Sequence, residues 1–201
     1  MIRNYFLLGM RHIFRHRGYV LINILGLAVG LACFMLIGLF VWSELSYDRY
    51  NEKCERIYNL VLDGKIGEQT VKASFTSSVM APTFREEVPE IREFVRMDSW
   101  NNVVVRIDDR SYVEDKFLLA DSTFFNIFSI PLIRGDAASV LAAPHKVVLT
   151  QTAAGQYFPE EDPMGKLIYV GNDPEPFEVT GICEDVPALS HFDFNLLASF
   201  V

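Results

Sequence analysis

The chain has 201 residues, and its charge is divided rather than averaged. Residues 1–43 hold Arg3, Arg11, Arg15 and Arg17 and no acid, whereas residues 44–201 hold 14 Lys/Arg against 26 Asp/Glu, a net −12. So acidic a larger part excludes a nucleic-acid binder, and so sharp a split argues for two environments rather than one globule.

In chain order, "MIRNYFLLGMRHIFRHRG" comes first, with Ile2, Tyr5, Phe6, Gly9, Met10 and Ile13 at helical spacing and Arg3, Arg11, Arg15 opposite. Residues 1–18 therefore read either as a basic amphipathic segment on the inner leaflet or as a plain extension of the next helix. That next stretch, "GYVLINILGLAVGLACFMLIGLFVWS", runs 26 residues without a charge. As a helix it reaches about 39 Å, against a bilayer core of about 30 Å. A cleaved signal peptide has an apolar core of only about 7–15 residues, so residues 19–43 are predicted to span a membrane. Positive flanks stay on the cytoplasmic side, and Arg11, Arg15 and Arg17 form such a flank. Residues 44–201 are then placed outside. Gly26 and Gly30 form GxxxG, a spacing that lets two helix backbones approach closely.

The outer 158 residues suffice for one domain with a real core. Alternation predicts a strand over 56–65. A helix is predicted over 77–88, capped by Ser77 or Ser78 and stopped by Pro89. Further strands are predicted at "EFVRMDSW", "NVVVRI", "SYVEDKFLLA", "KVVLT", "KLIYVG" and "FEVTGIC", and short helices at "DSTFFNIF" and "TQTAAGQYF". Many short strands with few long helices imply an α+β domain. No internal repeat is visible.

Candidate chemistry is sparse. "DPMGK" places Gly165 before Lys166, yet a phosphate loop needs glycine five positions earlier, where Glu160 stands, and Ser or Thr at Leu167. Asp185, Ser190, His191 and Asp193 gather near the end, but Ser and His adjacent on an extended chain point apart. Cys33 falls in the apolar run. Cys54 and Cys183 share a compartment where a disulfide is permitted, without spacing that pairs them. No CxxC or His-rich pattern suggests zinc. No catalytic, cofactor-binding or metal-ligating residue is expected.

"INILGLAVGLACFMLIGLFVWSELSYDRYNEKCERIYNL" resembles the first membrane helix and following segment of MacB-like/FtsX-like ABC transporter permeases. "VPEIREFVRM", "FFNIFSIPLIRGD", "VVLTQTAAGQYFPEEDPMGKLI" and "FEVTGICEDVPALSHFDFNLLASF" extend the resemblance, in family order, over nearly the whole chain. Pro159 departs from it, standing where glycine commonly follows Tyr-Phe. The resemblance implies a membrane subunit of the bacterial inner membrane, with no catalysis or cofactor of its own and a periplasmic core domain of βαβ units and a strand-rich lobe. It also implies an ATP-binding partner in the cytoplasm, packing against other permease helices or a second copy, and possible periplasmic partner proteins. Such permeases couple ATP hydrolysis to motion of the outer domain, for export or mechanotransmission. No later membrane helix follows "NLLASFV", so the chain is expected to be a truncated form, a fragmentary gene product or the first part of a longer protein, in which the last strand could lack partners. The alternative reading is a single-span sensor or ligand-binding module.

Overall fold

The computed structural model describes residues 17–66 and 69–200. Two compact units divide between Tyr47 and Asp48. The first contains helix α1, Arg17–Glu44, in which no residue is buried. Its 28 residues correspond to about 42 Å at the usual helical rise. Beyond it Leu45 N still donates to Val41 O, and the Ser46 hydroxyl donates to Trp42 O at 2.6 Å, closing the last turn. Segment 1–18, with Arg11 and Arg15, lies outside the described residues except for its end; Arg17 opens the helix.

The second unit contains a 3-10 turn (Cys54–Arg56), strands β1 (Leu62–Ile66) and β2 (Gln69–Ala73), and helix α2 (Met80–Glu87). Then come β3 (Met97–Trp100), β4 (Val103–Ile107), β5 (Arg110–Glu114), β6 (Phe117–Ala120), α3 (Phe124–Ile127) and β7 (Leu132–Arg134). The chain continues through β8 (Lys146–Thr150), α4 (Gln151–Tyr157), β9 (Leu167–Val170), β10 (Glu175–Cys183) and β11 (Leu196–Ser199). This is an α+β domain following one apolar helix.

Nine strands form one mixed sheet in the order β3-β6-β11-β8-β10-β9-β4-β5, with β7 against the far end of β10. β8 and β10 run parallel, joined through α4 and β9; β6 and β11 are also parallel. β1 and β2 pair separately, Leu62 opposite Ala73.

The middle of the sheet is covered on both faces, which is why β11 is buried at every residue and β8 from Val147 onward. Val147, Leu149, Leu196 and Ala198 face one side, where α4 brings Ala153, Ala154 and Tyr157. Val148, Leu197, Leu118 and Ala120 face the other, against Phe124, Phe128 and Phe194. Toward the edge, β4 alternates buried Val103, Val105 and Ile107 with half-buried Val104 and Arg106.

Local chemistry explains the corners. Thr150 ends β8 in extended conformation, and its hydroxyl accepts from Ala153 N at 3.2 Å, starting α4. Thr180 is an extra residue in β10: Val179 pairs with Val147 but Gly181 with Val148. The Thr180 hydroxyl donates to Val140 O at 2.6 Å, anchoring the bulge. Beside it Gly135 has φ +100°, and a Cβ there would lie 2.6 Å from Val140 Cγ1 and 2.8 Å from Thr180 O, so only glycine fits.

Four expectations are corrected. The strand predicted over 56–65 begins only at Leu62, because residues 54–56 close a 3-10 turn and 57–61 pair with no strand. "SYVEDKFLLA" is two strands: the Glu114 carboxylate accepts from Lys116 N at 3.0 Å and turns the chain, so β5 joins β4 while β6 joins β11. α2 is capped by neither Ser77 nor Ser78; Val79 holds that position without a side-chain bond. The last strand does have partners, since β11 lies between β6 and β8.

Candidate functional site

The helix and the start of the acidic domain are where sequence and fold both concentrate unusual features. Along α1, Leu27 is 74 % and Phe34 73 % exposed. Leaving a Leu or Phe in water rather than burying it costs about 1.5–3 kcal/mol, so a row of such residues requires an apolar surrounding. Among the described residues α1 is the one helix long and apolar enough to cross a membrane. At Gly26 and Gly30 an added Cβ would meet nothing within 4 Å, which leaves both backbone positions open to a close neighbour.

Four residues after the helix ends, at Asp48, the domain begins with a polar knot. Asp48 adopts φ +55°, the left-handed conformation that Asp tolerates better than most residues, and its N–H donates to Leu189 O at 2.9 Å. Its carboxylate accepts from His191 N at 3.2 Å and pairs with His191 Nδ1 at 2.6 Å. The Tyr50 hydroxyl lies 3.0 Å from Ser190 Oγ, and burial pushes its pKa above the ordinary tyrosine value. Asn51 is only 2 % exposed; its Oδ1 accepts from Ser129 N at 2.9 Å, while Glu52 N donates to Ser129 Oγ at 3.0 Å. Lys53 Nζ reaches Asn126 O at 2.5 Å. Apolar backing comes from Tyr50, Ile57 and Phe192, all packed on the Phe124 cluster. Phe192 meets Phe124 edge-on at 5.6 Å and Phe128 at 4.7 Å.

The same contacts decide the triad question. Ser190 turns to Tyr50, His191 to Asp48, and Asp193 to Lys116 at 2.5 Å, so serine and histidine serve different partners and form no nucleophile–base pair. The "DPMGK" turn is equally occupied. Asp162 takes both Arg134 guanidinium nitrogens at 2.6 and 3.0 Å together with Met164 N, which hold its carboxyl below the usual range. Gly165, at φ +77°, donates its N–H to Val179 O, and Lys166 pairs with Glu161. The turn's hydrogen-bonding groups thus aim β9 into the sheet.

A buried network ties the sheet edge to α4. Glu114 accepts from Asn195 Nδ2 at 2.9 Å and from the Tyr157 hydroxyl, whose pKa is raised by burial and by this carboxylate. Cys54 is an exposed free thiol, and Cys183 a buried one that burial pushes up to about 12, leaving it unreactive. Across the sheet, a groove of about 340 Å³ is lined by Trp100, His145, Phe177 and Phe200, with Asp173 and Glu175 beside them. Among the described residues no three His, Cys, Asp or Glu side chains converge to hold a metal.

In the sequence Asp48, Tyr50 and Asn51 stand within a family landmark, with no role legible from their spacing. Their signal was a run of hydrogen-bonding side chains directly behind an uncharged helix.

The chain is an α+β domain with a mixed sheet covered on both faces, preceded by one apolar helix long enough to cross a membrane. The MacB-like periplasmic core domain matches residues 20–200, and the chain belongs to that family. Among solved structures, it is similar to a domain assigned to a permease protein from Porphyromonas gingivalis, at 22 % identity and TM-score 0.58, covering 65 % of this chain and 55 % of that one. It is also similar to the periplasmic region of MacB from Actinobacillus actinomycetemcomitans, at 20 % identity and TM-score 0.41, covering 53 % of this chain and 47 % of that one. A third is the extracellular domain of the noncanonic ABC-type transporter YknZ from Gram-positive bacteria, at 15 % identity and TM-score 0.41, covering 53 % of each chain. This chain thus spans about half the length of each. No curated protein matches it.

Proposed function

We propose that this chain is a membrane subunit of a MacB-like ABC transporter. In this reading α1 crosses the bacterial inner membrane once, with Arg11, Arg15 and Arg17 on the cytoplasmic side. The domain from Glu44 onward is periplasmic. A separate cytoplasmic subunit hydrolyses ATP, and the helix passes its movement to the outer domain for export or mechanotransmission. Gly26 and Gly30 pack against another permease helix or a second copy.

The observation that carries this reading is a family match running without a break from the helix through the last strand. The basic leader, with Arg11, Arg15 and Arg17 close before the helix, supports the same orientation through the positive-inside bias.

Two measurements test it. Cys54 is exposed, so a membrane-impermeant maleimide should label it in spheroplasts with intact inner membranes, while Cys183 stays unlabelled until the domain is denatured. Labelling of Cys54 only after the inner membrane is broken would refute the orientation. The tagged chain, purified from its native membranes, should bring down an ATP-binding subunit; its repeated absence under mild detergent would refute the transporter assignment.

A further inference from the structure

The sheet face that carries α4 is not covered throughout. α4 starts at Thr150, where β8 ends, while the groove of about 340 Å³ opens beside His145, just ahead of the start of β8. An unbroken row of rings runs along it. Trp100 stacks on Phe117 at 6.0 Å, Phe117 meets Phe177 edge-on at 6.3 Å, and Phe177 meets His145 at 5.2 Å. Phe117 and Phe177 are buried, but Trp100, at one end of the row, is 46 % exposed. Asp98 fixes the indole, its carboxylate accepting from Trp100 Nε1 at 2.9 Å. The volume falls at the lower end of ligand-sized pockets, about 300–1,000 Å³, and so suits a small molecule.

Charge along the row is uncompensated. Asp173 and Glu175 line the groove from the turn between β9 and β10 and the start of β10, both exposed and, among the described residues, without an ion pair. No lysine or arginine lines it. Arg96 lies over the Phe200 ring at 4.6 Å, but Asp121 takes its guanidinium at 2.6 Å. Arg106 turns Nη1 to Gly171 O at 2.8 Å, and Lys146, next to His145, pairs with Glu178. Electron-rich ring faces and unpaired carboxylates attract the same kind of guest. We propose that this groove binds a small organic cation, an ammonium on an aryl or alkyl body. Its charge sits by Asp173 and Glu175, and its apolar part lies along Trp100 and Phe177. An anion would be repelled by the two carboxylates, and a neutral molecule would gain the rings alone. The site lies wholly within the outer domain and is independent of the transport function proposed above.

The test uses the full chain in phosphatidylcholine nanodiscs, whose lipid carries no net charge to collect the probe. Trp42→Phe leaves Trp100 as the one tryptophan, so its fluorescence reports on the groove. Titration with phenethylammonium should give a saturable change, half-complete at about 1 mM or below. 2-Phenylethanol, similar in shape but uncharged, should bind at least fivefold more weakly. Asp173→Asn/Glu175→Gln should weaken the ammonium at least fivefold and leave the alcohol unchanged, which removes the preference between them. A purely structural role for these carboxylates would not produce that selective loss. Raising ionic strength should weaken the ammonium further, because both carboxylates are exposed. No saturable change, equal affinity for ammonium and alcohol, or an unaltered preference in the double variant overturns the site. Hydrogen exchange of β8 and β11 checks that the double variant stays folded. If exchange quickens there, Asp173→Asn alone decides by the same ratio of affinities.

Discussion

Two apolar regions of this chain solve opposite problems. In α1 the large side chains face outward and none is buried, while in β8 and β11 they face inward on both sides of the sheet. Phe34 is 73 % exposed and Phe124 0 %, although their side chains are identical. What differs is the surrounding each implies. A sheet covered on both faces excludes water with its own layers, whereas an uncharged helix with no buried residue needs lipid or other helices. The comparison teaches that apolar content alone does not say where a core lies; the pattern around it does.

The comparison can be broken most sharply at the two phenylalanines. Phe124→Ala removes a ring that meets Phe125, Phe128, Phe192 and Phe194, and should cost about 3–5 kcal/mol in denaturant unfolding of the outer domain. Phe34→Ala should leave that transition within about 0.5 kcal/mol. Equal losses would show that the helix packs into the same core.

A charge reverses the asymmetry. Leu31→Arg, near the middle of α1, should disfavour membrane integration by about 2.5–3.5 kcal/mol in a glycosylation-mapped insertion assay. Unimpaired integration would remove the case for a spanning helix.

Within the sheet, Gly135→Ala forces a methyl against Val140 and the Thr180 carbonyl at a positive φ, and should cost about 1–3 kcal/mol by thermal unfolding. A neutral result would mean that the Thr180 bulge yields easily.

The smallest effect is electrostatic. Partial burial opposes charging Asp185, but hydrogen bonds from Thr152 and Thr150 outweigh it and hold its carboxyl below the usual range. A carboxylate depressed in the folded state adds stability above its unfolded pKa of about 3.9, and that increment is lost as pH falls through the folded value. Because Asp185 is solvent-exposed, the increment should stay under about 1 kcal/mol. Unfolding of Asp185→Asn followed from pH 6 to 3 should therefore show a shallower acid slope than the parent; parallel slopes would show that Asp185 contributes nothing.

Legibility followed locality. The Ala-rich turn of α4 and the β-branched run of β8 are short-range signals, and each stands where its residues placed it. The division of "SYVEDKFLLA" was hidden because a continuous β-favouring run does not reveal that one carboxylate will bond two residues onward and turn the chain. The knot was hidden for a related reason. Asp48 finds His191, and Asn51 finds Ser129, across separations that no window of sequence spans.

By itself the sequence determined the uncharged helix, the charge division across it, the α+β character and the unsuitability of "DPMGK" for phosphate. All of these depend on composition or on spacing within a few residues. Only the tertiary structure decided that the closing strand is central, that Ser190 and His191 part company, and that residues 48–53 bond to two loops distant in sequence. Those outcomes depend on which strands pair, and pairing is settled by the joint burial of two faces, a property of the whole sheet.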